Sequence, residues 1–305
     1  LIIVSGVMIA LSLALAFVIA RRFSRPLIGL SASARELANG KYDAAFTGGG
    51  CKEITELSEA LNYAEGELSK VDHLRRELIA NISHDLRTPL TMITGYGEMM
   101  RDIPGENTPE NVQIIIDESN RLTKLVNDLL DLSKLQSGNE TLSPAVYCIT
   151  DAVGEIADRY SKFAAPGGVD VRFVHSGSVH VAADETRIAQ VIYNLIANAV
   201  AHSKSGDTVT VFQSLAAGHV RISVADSGPG IPQEELRQIW ERYRKGSRSE
   251  NRKGTGLGLA IVRAIIELHH GTYGVMSTVG QGSVFWFELP VAKAPMPPKK
   301  GMLKS

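Results

Sequence analysis

Cysteine is nearly missing from this chain: two residues in 305, Cys51 and Cys148, far apart and in no metal-ligand spacing. A reduced, cytosolic compartment is the economical reading of that scarcity. An excess of either charge is missing too. The net charge of −1 gives no global reason to expect a nucleic acid partner, so any charged ligand must be recognised locally. No internal repeat is present, and no glycine-rich segment carries the lysine of a P-loop.

What the chain does have begins at once. Leu1 to Ala20 contains no charged residue, and Arg21, Arg22 and Arg25 follow it. As a helix, such a run spans about 30 Å, the thickness of a bilayer core. The arginines place its C-terminal side in the cytoplasm. A signal peptide would carry its positive charge before the apolar run, and a buried core helix would show a polar face. The span is therefore read as transmembrane over residues 1–20. The chain starts with Leu rather than Met, and so reads as the back part of a longer protein.

Arg21 to Lys70 carries two amphipathic helical patterns, Leu27, Leu30, Ala34, Leu37 and then Ile54, Leu57, Leu61, Leu68. Between them lie Asn39-Gly40 and Gly48-Gly49-Gly50, which a helix would not carry comfortably. Val71 to about Arg101 reads as one further helix with Leu74, Leu78, Ile82, Leu86, Leu90 and Ile93 on a face. Pro89 should interrupt it and bend it just after His84. Thr108-Pro109 reads as an N-cap followed by proline at the first helical position. The helix it opens carries Ile115, Leu122, Leu125, Leu129 and Leu132, and stops at Ser137-Gly138. Two such helices cannot bury their stripes alone, so a homodimeric four-helix bundle over residues 71–138 is expected.

Beyond residue 150 the period changes. Val169–Val174, Thr208–Phe212, Val220–Val224 and Ser283–Leu289 read as strands. Helices are expected at Asp151–Ala164, Glu185–Ala201, Gln233–Glu241 and Leu257–Leu268, giving an α/β domain over 150–290. The tail, 291–305, lacks periodicity and reads as disordered.

Five places could carry chemistry. Ile82-Ser83-His84-Asp85-Leu86-Arg87-Thr88-Pro89-Leu90 sets a nucleophilic imidazole beside a carboxylate able to orient it and take up its proton. Asn194 and Asn198, spaced i and i+4, put two amide oxygens on one helix face; these suit a Mg²⁺ held mainly by phosphates, or serve as surface residues or caps. Asp226-Ser227-Gly228-Pro229-Gly230 follows a strand: its carboxylate could accept from an exocyclic amino group, or the segment could be an ordinary turn. Ile239-Trp240-Glu241-Arg242-Tyr243 precedes the cations Arg244, Lys245, Arg248, Arg252 and Lys253, a phosphate-closing loop or a solvated charge run. Gly254-Thr255-Gly256-Leu257-Gly258 opens a helix, where backbone N–H groups bind anions. It follows a basic loop rather than a first strand, which argues against a dinucleotide fingerprint.

In this order the segments resemble the phosphoacceptor, N, G1, F and G2 boxes of sensor histidine kinases. Gly280-Gln281-Gly282-Ser283 with Phe285, Phe287 and Leu289 resembles the family's closing motif and final strand. Arg21 to Lys70 resembles a HAMP linker, with Pro26 and Glu36 at its first helix. The resemblance covers about Arg21 to Pro290. It implies a multi-domain protein: a transmembrane helix, a HAMP coiled coil over 21–70, a dimeric antiparallel helical hairpin, and a Bergerat-type α/β sandwich that binds ATP.

By position, the resemblance implies His84 as the phosphorylated residue, Asp85 as its base, and Thr88 as the residue for dephosphorylating a response regulator. Asn194 and Asn198 would hold Mg²⁺ and Asp226 the adenine. Gly228, Gly230, Gly254, Thr255, Gly256, Leu257 and Gly258 would shape the site and lid, with Arg242, Tyr243 and Lys245 as further nucleotide contacts. The implied partners are a second copy of the chain, a cognate response regulator and the membrane, in a bacterial inner membrane with the catalytic part cytoplasmic. Ala201 stands where a basic residue is common, followed by His202. ATPases of the gyrase, chaperone and mismatch-repair type place a catalytic Glu where this chain has Asn194, so a water-activating base is missing. A non-catalytic dimerising scaffold is the other alternative.

Overall fold

The computed structural model describes residues 2–43, 45–49, 51–136, 140–241 and 255–294. They form two compact units, residues 1–83 and 84–305.

In the first unit, α1 (Ile2–Ile19) continues through a π-helical stretch at Ala20–Ser24 into α2 (Arg25–Ala38). Every residue of α1 is exposed, and Ile2–Ala38 is long and apolar enough to cross a membrane by length and composition. After a turn at Asn39 and Gly40, an extended connector leads to α3 (Lys52–Asp102). Leu30, Phe46 and Ile54 form a small buried core flanked by Ala34, Leu37, Cys51 and Leu61. Asn62 holds the connector by accepting from the Phe46 N–H and donating to its carbonyl, both at 2.9 Å. A Cβ on Gly48 would lie 2.7 Å from the Ile54 carbonyl oxygen, so the connector packs on α3 only with glycine there.

The boundary expected between residues 70 and 71 is not a structural break: α3 is one helix of 51 residues. Nor does Pro89 interrupt it. Proline removes one backbone donor and crowds the preceding turn, but the helical hydrogen bonds on either side carry the segment through.

The second unit takes in the rest of α3 and α4 (Pro109–Gln136). The Thr108 hydroxyl caps α4 by accepting from the Asn111 N–H at 3.2 Å, as the Thr-Pro pair leads one to expect. An α/β sandwich follows. Its strands are β1 (Ala145–Cys148), β2 (Asp170–Val174), β3 (His180–Ala183), β4 (Thr208–Ala216), β5 (His219–Asp226), β6 (Thr272–Thr278) and β7 (Gly282–Ala292). Their order is β1-β3-β7-β5-β4-β2, with β6 also on β7; only β2 and β4 run parallel. The helices α5 (Ile149–Ala164), α6 (Glu185–His202) and α7 (Gly258–Leu268) supply the other layer.

Alternation places Val220, Ile222 and Val224 of β5 and Phe285, Phe287 and Leu289 of β7 inward. There they meet Ile188, Ile192, Leu195 and Ile196 of α6 and Ile261, Ile265 and Ile266 of α7. Gln213, also buried, is satisfied by the Thr150 hydroxyl and the Gly177 carbonyl, each at 2.8 Å.

Several local expectations are corrected. β1, β3 and β6 escaped detection because they are short or carry glycine. Gln233–Glu241 forms successive turns rather than a helix; Glu235 N–H bonds Pro232 and Gln238 N–H bonds Glu235, leaving no continuous ladder. The final strand runs past Pro290 to Ala292, because Val291 and Ala292 pair with Val181 and His180 of β3. Residues 295–305 of the tail lie outside the described residues. Leu125, Leu132 and Leu135 of α4 are buried in one core cluster with the α/β layer, and Leu86 of α3 packs against that cluster.

Candidate nucleotide and phosphoacceptor sites

His84 projects from α3 with its side chain 78% exposed, while that of Asp85 is only 15% exposed. Neighbours one residue apart on a helix do not ordinarily face each other. Here the imidazole Nδ1 lies 3.3 Å from the Asp85 carboxylate. With the Nδ1 hydrogen donated to Asp85, the Nε2 lone pair faces solvent. The Thr88 hydroxyl, one turn on, donates to the His84 carbonyl at 3.3 Å, and its oxygen keeps lone pairs for a further donor.

In the sandwich the site is laid out along α6. At the middle of that helix, a Cβ on Gly258 would lie 3.7 Å from the Asn194 side-chain oxygen, so the start of α7 sits against Asn194. The other amide atom of Asn194, Nδ2, is buried without a hydrogen-bond partner. At the end of α6, a Cβ on Gly228 would lie 2.9 Å from the His202 carbonyl oxygen. The glycine turn after β5 therefore meets α6 eight residues beyond Asn194, about 12 Å along the axis. One helix thus separates the two glycine turns by about 12 Å. Asn198 lies between them, half-buried.

Asp226 ends β5 almost fully buried and accepts from the Gly228 N–H at 2.8 Å. Burial pushes its carboxyl above the usual range, against the pull of that N–H and of the His202 imidazole. Gly230 and Gly282 have φ of +68° and +90°. A Cβ on Gly230 would run into the Thr278 carbonyl, and one on Gly282 into the carbonyl of Asp226 itself. The Gly280 N–H bonds the Pro229 carbonyl at 2.8 Å, so the β6–β7 turn buttresses the Asp226–Gly230 turn.

Gly256 has φ of +68°, and the buried Leu257 beside it anchors the start of α7 in the core. The Thr255 hydroxyl donates to Asp128 of α4 at 3.1 Å and lies 3.4 Å from the Leu257 N–H as acceptor. Trp240 packs edge-on against Tyr273 and Phe285, with ring centroids at 4.7 and 5.9 Å. Arg242, Tyr243, Lys245 and Gly254 lie outside the described residues.

Two acids of α4 at this site, Asp128 and Asp131, were missed by sequence reasoning. The Gln190 side-chain amide donates to Asp131 at 3.0 Å, and Arg187 lies 3.7 Å from its carboxylate. No local pattern marks either residue, since their partners stand 59 and 127 positions away.

Fold and site define a nucleotide-binding α/β sandwich joined, in one chain, to a helix that presents an exposed histidine. Residues 18–64 match the HAMP domain and 74–138 the His Kinase A (phospho-acceptor) domain. Residues 183–293 match the histidine kinase-, DNA gyrase B-, and HSP90-like ATPase family. Sensor protein SrrB of Staphylococcus aureus (strain NCTC 8325) is 32% identical over 225 residues, 72% of this chain and 39% of SrrB. The chain thus spans about two fifths of the length of the curated relatives it matches.

Among solved structures, full-length ShkA in complex with AMPPNP is 32% identical over 72% of this chain and 46% of that one, with a TM-score of 0.55. Histidine kinase ThkA in complex with response regulator protein TrrA is 27% identical over 79% of this chain and 68% of that one, with a TM-score of 0.60. The chain belongs to the sensor histidine kinase family.

Proposed function

We propose that this chain binds Mg·ATP in the sandwich, transfers the γ-phosphoryl group to His84, and passes it to an aspartate of a response regulator. The observation that carries this reading is an exposed imidazole, beside a carboxylate, in one chain with two glycine turns set against α6 at Asn194 and His202. Nε2 of His84 attacks the γ-phosphorus in line, the bond from phosphorus to the β–γ bridging oxygen breaks, and ADP leaves. As the ring becomes cationic, Asp85 stabilises the Nδ1 proton. Asp226 accepts from the adenine amino group, and the turn at Gly256 and Leu257 offers N–H groups to phosphate.

The fit for Mg²⁺ rests on the donor set. Asn194 and Asn198 supply neutral amide oxygens, while the buried, unpartnered Nδ2 of Asn194 is a donor suited to a phosphate oxygen rather than to the metal. Bound there with phosphates, Mg²⁺ would neutralise their charge.

A homodimer is supported by α4. Val112, Ile116, Val126 and Leu130 are exposed, and at about 3.6 residues per turn they share one side of the helix, opposite Leu125 and Leu132. That stripe fits a second copy in a four-helix bundle. The apolar α1, followed by three arginines, supports anchorage in a bacterial inner membrane with the sandwich cytoplasmic. Thr88 is proposed to orient water when the regulator is dephosphorylated.

The test is incubation of the detergent-solubilised chain with γ-labelled ATP. Acid-labile, base-stable label on the wild type and none on His84→Gln is the expected result. Equal labelling of both would overturn the assignment.

A further inference from the structure

Thr255 stands at the phosphate end of the site, yet its hydroxyl is already engaged by another part of the protein. It donates to Oδ2 of Asp128, on α4. A threonine hydroxyl has one hydrogen to donate, so Thr255 can serve Asp128 or a phosphate oxygen but not both. The bond is displaceable: at 3.1 Å it is longer than a strong hydroxyl–carboxylate bond, about 2.5–2.7 Å.

Charge works in the same direction. Asp128 is half-buried, and burial raises its carboxyl above the usual range against the pull of Lys124 and Thr255, with Asp131 adding to the rise. A polyphosphate brought to Thr255 would add like charge beside a carboxylate that is already poorly solvated.

The contact is also not isolated. Leu125, Leu132 and Leu135 of α4 are buried in the shared core. Asp131 faces Gln190 and Arg187 on α6, and Arg187 also pairs with Glu140. Arg187, Gln190, Asn194 and Asn198 follow one another at three- and four-residue steps, so α4 docks on the face of α6 that carries the candidate nucleotide ligands.

We propose that Asp128 is a positioning residue that competes with the nucleotide's phosphates for Thr255, so that phosphate binding and docking of α4 on the sandwich oppose each other. The proposal rests on the nucleotide reading above. Coupling of this kind is reciprocal: whatever factor the phosphates cost the docked arrangement, that arrangement costs the phosphates. It gives the second helix of the phosphoacceptor hairpin a direct hold on the nucleotide site, and leaves the adenine end untouched.

The test is calorimetric binding of AMPPNP and of adenosine to the full chain in detergent, wild type against Asp128→Ala and Asp128→Asn. Asp128→Ala should bind AMPPNP about 5–10-fold more tightly, within the usual range of such couplings. Asp128→Asn, which keeps an acceptor for Thr255 but loses the charge, should tighten AMPPNP by a smaller factor. Adenosine, lacking phosphates, should bind all three alike. Unchanged or weaker AMPPNP binding in both variants overturns the proposal, as does equal tightening of adenosine. Failure of the wild type to bind either ligand overturns the nucleotide reading and this inference with it.

Discussion

Gly280 and Gly282 sit two residues apart in the β6–β7 turn, both left-handed, with φ of +83° and +90°. Alanine at either position should cost about 1–2 kcal/mol for the backbone conformation alone. The surroundings then separate them. A Cβ on Gly280 meets nothing within 4 Å, whereas one on Gly282 runs into the Asp226 carbonyl and would lie 2.9 Å from its carbon and 3.0 Å from the Ser227 Cα. Those atoms are backbone in paired strand and turn, so they cannot swing aside. Overpacking of that kind adds about 1–3 kcal/mol.

The loss of unfolded-state entropy on replacing glycine is common to both variants and cancels. The chain's two tryptophans, Trp240 and Trp286, both lie in the sandwich, so fluorescence reports unfolding of that unit. With a urea slope of about 2 kcal/mol/M, the Gly282→Ala midpoint should fall below that of Gly280→Ala by about 0.5–1.5 M. Because the displaced backbone is that of Asp226, only Gly282→Ala should also weaken ATP binding. Equal midpoints and equal ATP affinities would refute the claim that the turn is packed onto the adenine-type end.

Asp226→Asn should weaken ATP binding whether or not Mg²⁺ is present, whereas Asn198→Ala should do so chiefly with the metal; identical losses on titration would refute the division of roles. Burial raises the Asp226 carboxyl, so the ionised form is the less favourable one in the fold, and protonation on acidification removes the adenine acceptor. ATP affinity should therefore fall as pH drops, and begin falling at a higher pH than an ordinary aspartate would give. Thr88→Ala should keep autophosphorylation and lose regulator dephosphorylation; parallel loss of both rates would mean the hydroxyl only serves the His84 carbonyl. Alanine at Val126 and Leu130 should shift the sedimenting species from dimer to monomer at a cost of up to about 2–5 kcal/mol for the larger side chain, with ATP binding retained.

Residue order alone determined a good deal here. Local geometry written in short, contiguous segments was legible: His84 beside Asp85, Asn194 four before Asn198, the glycines around Asp226 and Leu257. Each of those needs only local backbone geometry, a helix turn or a left-handed glycine, and local geometry follows from neighbouring residues. The capping of α4 by Thr108 and the long strands β4, β5 and β7 were readable on the same ground. Only the tertiary structure decided what was long-range. Short β1 and β3 exist because other strands pair with them, and Val291 and Ala292 stay in strand because β3 reaches them. Pro89 remains helical because a missing hydrogen bond costs less than breaking a helix that continues on both sides. Leu125 is buried in the cluster shared with the sandwich while Val126 and Leu130 stay exposed, and Asp128 reaches Thr255, because α4 has two apolar sides and periodicity cannot say which partner each one meets. Contacts between residues more than a hundred positions apart are set by the packing of whole elements, and no local pattern carries them.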